Sequence, residues 1–390
     1  MGTMQRLFQL MADKKASDIF VSAGAPINIK INGNAMPVNQ QVMDGSTVTT
    51  LLHEILTDAQ FREFEETLEL NTSYQLEGAG NFRISVFRQK GTPAMVVRYI
   101  PADIPRFETL NVPEVLTEVI MEKRGLILMV GATGSGKSTT LTAMLDYRNE
   151  RKSGHILTLE DPIEFIFKNK KSIVNQREVG ADTKAFQTAL KNALRQAPDC
   201  ILIGEIRDKD TMSAAIAYAQ SGHLCLATLH ANNSYHAMSR IISFYPLENR
   251  PALLSDLSVT LKCVISQRLV KKPDGSRTPA VEVLLNSRYI AELIEKGDLN
   301  EIKEAMEKSM SAGSQTFEQS LYRLYKSGAI TQEEALANAD SANNLIYLIN
   351  NAPTEETAAP AQSSSETKQA DESPMQAKML SSFSDFKINE

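Results

Sequence analysis

Tryptophan is absent from this 390-residue chain, aromatic residues make up only 6% of it, and the formal net charge is −6. A motor that tracks nucleic acid stacks bases on aromatic side chains and grips phosphates with a basic face. Neither resource is in surplus, so nucleic acid is excluded as the expected partner. Apolar runs fall far short of the roughly 18–20 residues that cross a bilayer. The first fifteen residues carry charges and no continuous apolar stretch, so no signal peptide is expected. Only three cysteines occur, Cys200, Cys225 and Cys263, and no two form a C-x-x-C pair. Cys200 and Cys225 sit in apolar, strand-like runs and read as small buried hydrophobes, which argues against a disulfide framework or a zinc site. The expected location is the cytoplasm.

What the chain does contain is Gly131-Ala132-Thr133-Gly134-Ser135-Gly136-Lys137-Ser138, a match to G-x-x-x-x-G-K-[ST] at every position. The apolar run Leu126–Val130 precedes it and a helical pattern from Thr139 follows it, the strand-loop-helix context that a phosphate-binding loop needs. Glycines let backbone N–H groups converge on phosphate oxygens, and the helix N-terminus adds its positive dipole end. Lys137 is expected to reach the β- and γ-phosphates and Ser138 to hold Mg²⁺. Gly131, Thr133, Gly134, Ser135, Gly136, Lys137, Ser138 and Thr139 are therefore the expected nucleotide contacts, with ATP and Mg²⁺ as ligands.

Such a loop needs acids on neighbouring strands. Asp199-Cys200-Ile201-Leu202-Ile203-Gly204-Glu205 buries a strand and leaves Glu205 at its C-terminal end, the edge at which parallel sheets bind ligands, where it can hold Mg²⁺ through water. Glu160, Asp161 and Glu164 follow another buried strand; one of them can deprotonate the attacking water, and spacing does not say which. His223 and His230 bracket the strand Leu224–Leu229 and are candidate sensors of the terminal phosphate.

The length allows about two to three domains. Residues 1–100 read as an α+β unit: a helix over Met4–Met11, strands at 19–21, 27–31 and 81–87, and one helix from Val48 to Glu66. In the last strand Phe82, Ile84 and Val86 share a face, with Arg83 and Ser85 opposite. Pro101, Pro105 and Pro113 mark a linker over 101–112, and Pro113 starts a helix. From 113 to 350 strands and helices alternate as in an α/β fold with a largely parallel sheet, ending in helices. Residues 351–390 are polar and proline-containing and are expected to be a disordered tail, whose final Met379, Leu380, Phe383, Phe386 and Ile388 read as a passive end, with a short docking motif as the alternative. The tail holds seven acidic residues and three lysines, a balance of −4, so residues 1–350 carry −2 of the total.

Glu160-Asp161-Pro162-Ile163-Glu164, Gly204-Glu205-Ile206-Arg207-Asp208, Gly222-His223 and Thr228-Leu229-His230 resemble the Asp box, Walker B and His box of the type II/IV secretion ATPases. Val174–Glu178, Leu194–Asp199 and Ala214–Pro246 are similar to the PilT/PilU family of type IV pilus retraction ATPases, and most to its PilU branch. The resemblance covers about residues 5–350. It implies a RecA-like ATPase domain behind a smaller PAS-like α+β domain, assembled as a homohexamer. It further implies Glu164 as general base supported by Glu160, Glu205 on Mg²⁺, and Arg83 and Arg98 reaching phosphates across a subunit interface. A PilT-type ATPase and an inner-membrane pilus platform protein are the implied partners, with the chain peripheral to the inner membrane.

The chain also departs from that pattern. Where PilT relatives carry Ala-Ile-Arg-Asn-Leu-Ile-Arg-Glu, it reads Tyr289-Ile290-Ala291-Glu292-Leu293-Ile294-Glu295-Lys296. The apolar spacing survives and both arginines are gone, so the expected role is to assist retraction. The acidic residue usual before Pro198 is Ala197, and the tail lies outside the PilT pattern. A ring component that binds nucleotide and hydrolyses little is the alternative. A pilus-assembly or type II secretion ATPase would carry a tetracysteine insertion that is missing here.

Overall fold

Strict alternation in Gly80–Gln89 sends Phe82, Ile84 and Val86 inward, each fully buried. The structure, a computed structural model, describes residues 2–31, 33–100, 104–308 and 313–351. Around that strand the N-terminal third runs α1 (Thr3–Lys14), β1 (Asp18–Ser22), β2 (Asn28–Ile31), β3 (Asn34–Pro37), α2 (Gly45–His53), α3 (Asp58–Thr67), β4 (Glu69–Leu76), β5 (Gly80–Gln89) and β6 (Thr92–Ile100). Its six strands form an antiparallel sheet in the order β3-β2-β1-β6-β5-β4. The helices contribute Met4, Phe8, Leu52 and Phe64 to the same core as Ile19, Phe82 and Met95, with the Phe8 and Phe82 rings stacked at 4.3 Å.

The single helix expected over Val48–Glu66 is two. The apolar stripe continues, but Thr57 adopts extended backbone and caps a new helix: its hydroxyl accepts from Gln60 N–H while the Gln60 side chain accepts from Thr57 N–H. Such a reciprocal cap satisfies two otherwise orphaned donors and outweighs continuity of the stripe.

The following segment contains α4 (Val115–Ile120), β7 (Gly125–Val130), α5 (Lys137–Arg151), β8 (Gly154–Glu160), β9 (Ser172–Glu178), α6 (Phe186–Ala193), β10 (Cys200–Ile203), α7 (Lys209–Gln220), β11 (Leu224–Leu229), α8 (Ser234–Ser243), α9 (Arg250–Thr260), β12 (Leu261–Lys271) and β13 (Arg277–Leu285). Helices α10 (Arg288–Lys296), α11 (Leu299–Glu307), α12 (Phe317–Lys326), α13 (Gln332–Ala337) and α14 (Ala342–Asn351) close it. Seven strands pair in the order β13-β12-β7-β11-β10-β8-β9, parallel throughout except β12 with β13. Both faces are covered, as parallel sheets require. Leu126, Leu128 and Val130 of β7 enter one core, Ile127 and Met129 the other. The three cysteines are buried and free.

Helix α10 keeps Ile290, Leu293 and Ile294 buried and is capped by Ser287, so the loss of both family arginines leaves the helix intact. The described chain up to Ile349 is one compact unit. The expectation of a disordered tail lies outside the described residues beyond Asn351.

Candidate nucleotide site

The parallel order brings the C-terminal ends of β7, β8, β10 and β11 side by side, and the four chemical motifs follow those ends. They line one cleft of about 570 Å³, which includes Thr133, Gly134, Gly136, Lys137, Ser138 and Thr139 on one wall and Glu160, Glu164, Glu205 and His230 on another. Gly131 and Ser135 are not among the lining residues. The Gly131 carbonyl accepts from Lys137 Nζ at 2.7 Å, and the Ala132 carbonyl does so at 2.8 Å.

The loop has the shape of an anion cradle. Gly134 and Gly136 hold φ of 78° and 85°, backbone that glycine adopts without strain, and a Cβ on Gly136 would lie 2.7 Å from the Gln267 side chain. Ser135 Oγ is buried with no hydrogen-bond partner among the described residues. A cradle of this kind with an unmet hydroxyl fits a phosphate. Burial pushes the Lys137 ammonium down from its usual range, and the charges of Glu205 and Glu164 oppose that, so a cation in the loop faces two anions across the cleft.

Glu160 ends β8, half-buried. Its Oε1 accepts from Thr158 Oγ1 at 2.7 Å and from Gln176 Nε2 at 3.2 Å, yet burial pushes its carboxyl up to about 6. Glu164 is exposed in the turn beyond it. Glu205 is held from two sides, by Arg207 Nε at 2.7 Å and by His230 Nε2 at 3.4 Å, while Arg207 also lies 3.5 Å from Asp161. Thr228 hydrogen-bonds the Gly204 carbonyl and ties β11 to the strand that carries Glu205. Among the described residues no group of three or more His, Cys, Asp or Glu has metal-binding geometry. Mg²⁺ is usually held by one or two protein groups together with substrate phosphates and water. Ser138 and Glu205 are the groups here that fit such a role.

One expectation is redrawn. His223 does not join the cleft: the six residues of β11 separate it from His230, about 20 Å of extended chain. Its ring instead lies 3.2 Å from Ser221 Oγ and 3.3 Å from the Tyr218 carbonyl. Arg83 and Arg98 are register partners on β5 and β6 and are not among the residues lining this chain's own cleft. Arg98 Nε donates to the buried Asp18 at 3.0 Å, so that arginine already has an anion.

Sequence reasoning missed Arg207, which clamps Glu205, and Gln176, which holds Glu160. Both stand inside quoted motifs, and the signal was a polar side chain on a strand or strand end beside the acids. It also missed the polar residues of β12. Gln267 faces the phosphate loop, while Arg268 on the opposite face donates to the Asn338 carbonyl at 2.5 Å, pairs with Asp340 and lies 4.0 Å above the Phe317 ring. Asp340 in turn accepts from Asn233, the cap of α8, at 2.7 Å.

Comparison with known proteins agrees with this geometry. The family model described as "Type II/IV secretion system protein" matches residues 3–372. The type IV pilus ATPase PilU of Pseudomonas aeruginosa is 48% identical over 346 residues, covering 88% of this chain and 91% of PilU. The pilus retraction ATPase PilT of the same organism is 40% identical over 338 residues, covering 87% of this chain and 98% of PilT. Among solved structures, the pilus retraction motor PilT with bound ADP superposes with a TM-score of 0.83 at 39% identity, covering 89% of this chain and all of that one. The ATPase DotB of Legionella pneumophila gives 0.74 at 26% identity over 86% of this chain and 94% of its own. The fold is thus a RecA-like P-loop ATPase domain preceded by a smaller α+β domain.

Proposed function

The chain belongs to the type II/IV secretion system protein family, with the pilus ATPases PilU and PilT among its relatives, and on that footing we propose that it is an ATP-hydrolysing motor subunit that assists retraction of a type IV pilus. One observation carries the reading: a lysine-bearing phosphate loop and the carboxylates Glu160, Glu164 and Glu205 meet in one cleft.

In this reading Gly134, Gly136 and their neighbours donate backbone N–H groups to the phosphates, and Lys137 neutralises charge at the bond that breaks. Glu164, exposed to solvent, takes the proton of the attacking water. Glu160 stands behind it, its elevated proton affinity suited to sharing that proton. Ser138 and Glu205 are the groups that would hold Mg²⁺, which when bound shields β- and γ-phosphate oxygens. His230, against Glu205, reports the state of the terminal phosphate. His223 belongs to the same motif but acts away from this cleft.

Residues 1–100 serve as the PAS-like domain, 101–112 as the linker and 113–350 as the motor domain. Subunits assemble as a homohexamer in which Arg83 and Arg98 face a neighbour's nucleotide, Arg98 exchanging Asp18 for phosphate. The ring works beside a PilT-type ATPase, from the cytoplasm against an inner-membrane pilus platform protein; no described helix is long and apolar enough to cross a membrane. Loss of both arginines from α10 favours an assisting role over independent retraction.

Two measurements test this. Phosphate release by purified protein should fall about 10²–10⁴-fold in Glu164→Ala, the range for removal of a general base; equal rates would leave only a nucleotide-binding ring component. Deleting the gene in a strain that keeps its PilT relative should weaken retraction under load. Unchanged force would remove the assisting role.

A further inference from the structure

Gln267 stands on β12, outside every nucleotide motif, and is 2% exposed. Its amide is used at both ends: Nε2 donates to the Ser135 carbonyl at 2.9 Å, and Oε1 accepts from Thr140 Oγ1, one turn into α5, at 2.8 Å. It therefore joins the phosphate loop, the helix behind it and the neighbouring strand. A strand residue whose only task was packing would not be a buried amide, because each unpaired polar atom there costs about 1–3 kcal/mol.

The Ser135 contact has a geometric consequence. In a trans peptide the carbonyl and the following N–H point in opposite directions. Holding the Ser135 carbonyl on Gln267 aims the Gly136 N–H away from β12, toward the side on which Gly136 and Lys137 line the cleft. The peptide cannot rotate without breaking this bond, and Gly136, with no Cβ, would otherwise offer little resistance to that rotation. The close approach also explains the residue type, since a Cβ at 136 would lie 2.7 Å from Gln267 Nε2 and one at 131 would lie 2.6 Å from the Gln267 carbonyl oxygen.

We infer that Gln267 is a positioning residue for nucleotide binding, presetting the Gly136 N–H as a phosphate donor through the Ser135 carbonyl. The inference rests on the reading of the cleft as an ATP site. It makes phosphate affinity depend on a side chain of β12 that is not itself among the residues lining the cleft.

The two ends of the amide can be separated by mutation. Gln267→Glu keeps the acceptor for Thr140 and replaces the donor to Ser135 with a repelling oxygen; Gln267→Leu removes both; Thr140→Val removes only the helix contact. Titration with a fluorescent ADP should show Kd raised about tenfold in Gln267→Glu and Gln267→Leu and no more than about threefold in Thr140→Val. KM for ATP should follow Kd, with kcat at saturation within about threefold of wild type. A purely structural amide would lower the melting temperature of all three variants and leave Kd and KM unchanged at temperatures where they remain folded, and that pattern overturns the inference. So does a wild-type Kd in Gln267→Leu. Failure of the wild-type chain itself to bind ADP would instead strike the ATP-site reading.

Discussion

Replacing Glu160 by glutamine should stabilise the protein above pH 6 and slow it at the same time. The carboxylate ends β8 with bonds from Thr158 and Gln176, but burial outweighs them and its pKa moves from 4.5 to about 6. At 1.36 kcal/mol per pKa unit, the ionised form carries about 2 kcal/mol of penalty relative to the unfolded chain. The sign follows from linkage. The folded state binds this proton more tightly, so its contribution to stability is fully present below pH 4.5, is lost as pH rises through about 6, and stays constant above that. Glutamine has no proton to lose and keeps an oxygen for Thr158. The gap between variant and wild type should therefore be about 2 kcal/mol at pH 8 and shrink to less than half of that at pH 5. At pH 8 that corresponds to roughly 3 °C in melting temperature for a chain of this size. Thermal or urea denaturation at the two pH values reads the gap directly. Phosphate release should drop about tenfold, since the group beside Glu164 no longer shares a proton. A stability gap that is the same at pH 5 and pH 8, or a variant less stable than wild type at pH 8, would refute the reasoning.

Lys137→Ala should weaken nucleotide binding about ten- to hundredfold, the worth of charge-assisted bonds in a partly buried site, measured by the same fluorescent ADP titration. Its melting temperature without nucleotide should change little, because the ammonium bonds only the loop's own carbonyls. Asp340→Ala should cost about 2 kcal/mol by removing the carboxylate partner of Arg268, which keeps only carbonyl acceptors, and the acceptor of the Asn233 amide, seen as a lower urea midpoint at unchanged slope.

Local periodicity made much of this molecule legible. The phosphate loop is a contiguous motif whose strand and helix flank it directly, and Phe82, Ile84 and Val86 announce their face by alternation. Glu160, Glu205 and His230 could be gathered because each closes an apolar run, with Glu164 four residues beyond Glu160, and a parallel sheet aligns such ends. The break between α2 and α3 was visible in Thr57 and Gln60 but was masked by the apolar stripe running across it. Strand β12 was not read as a strand because Ser266, Gln267 and Arg268 interrupt its apolar run. Their partners, Glu282, Ser135 with Thr140, and Asp340, are distant in the chain, so nothing local shows that three consecutive polar residues, two of them buried, all find partners. His223 and His230 look equivalent on paper; only the direction of β11 decides which of them meets the acids.

Successive residues of β12 serve two clients on opposite sides of one ribbon, the loop through Gln267 and the terminal helices through Arg268. An insertion or deletion of a single residue in that ribbon would exchange the two, turning the guanidinium toward the glycine loop and the amide toward Asp340. The number of residues between Gln267 and the ends of that ribbon therefore matters to the loop and to the terminal helices at once, whatever apolar side chains fill the positions around it.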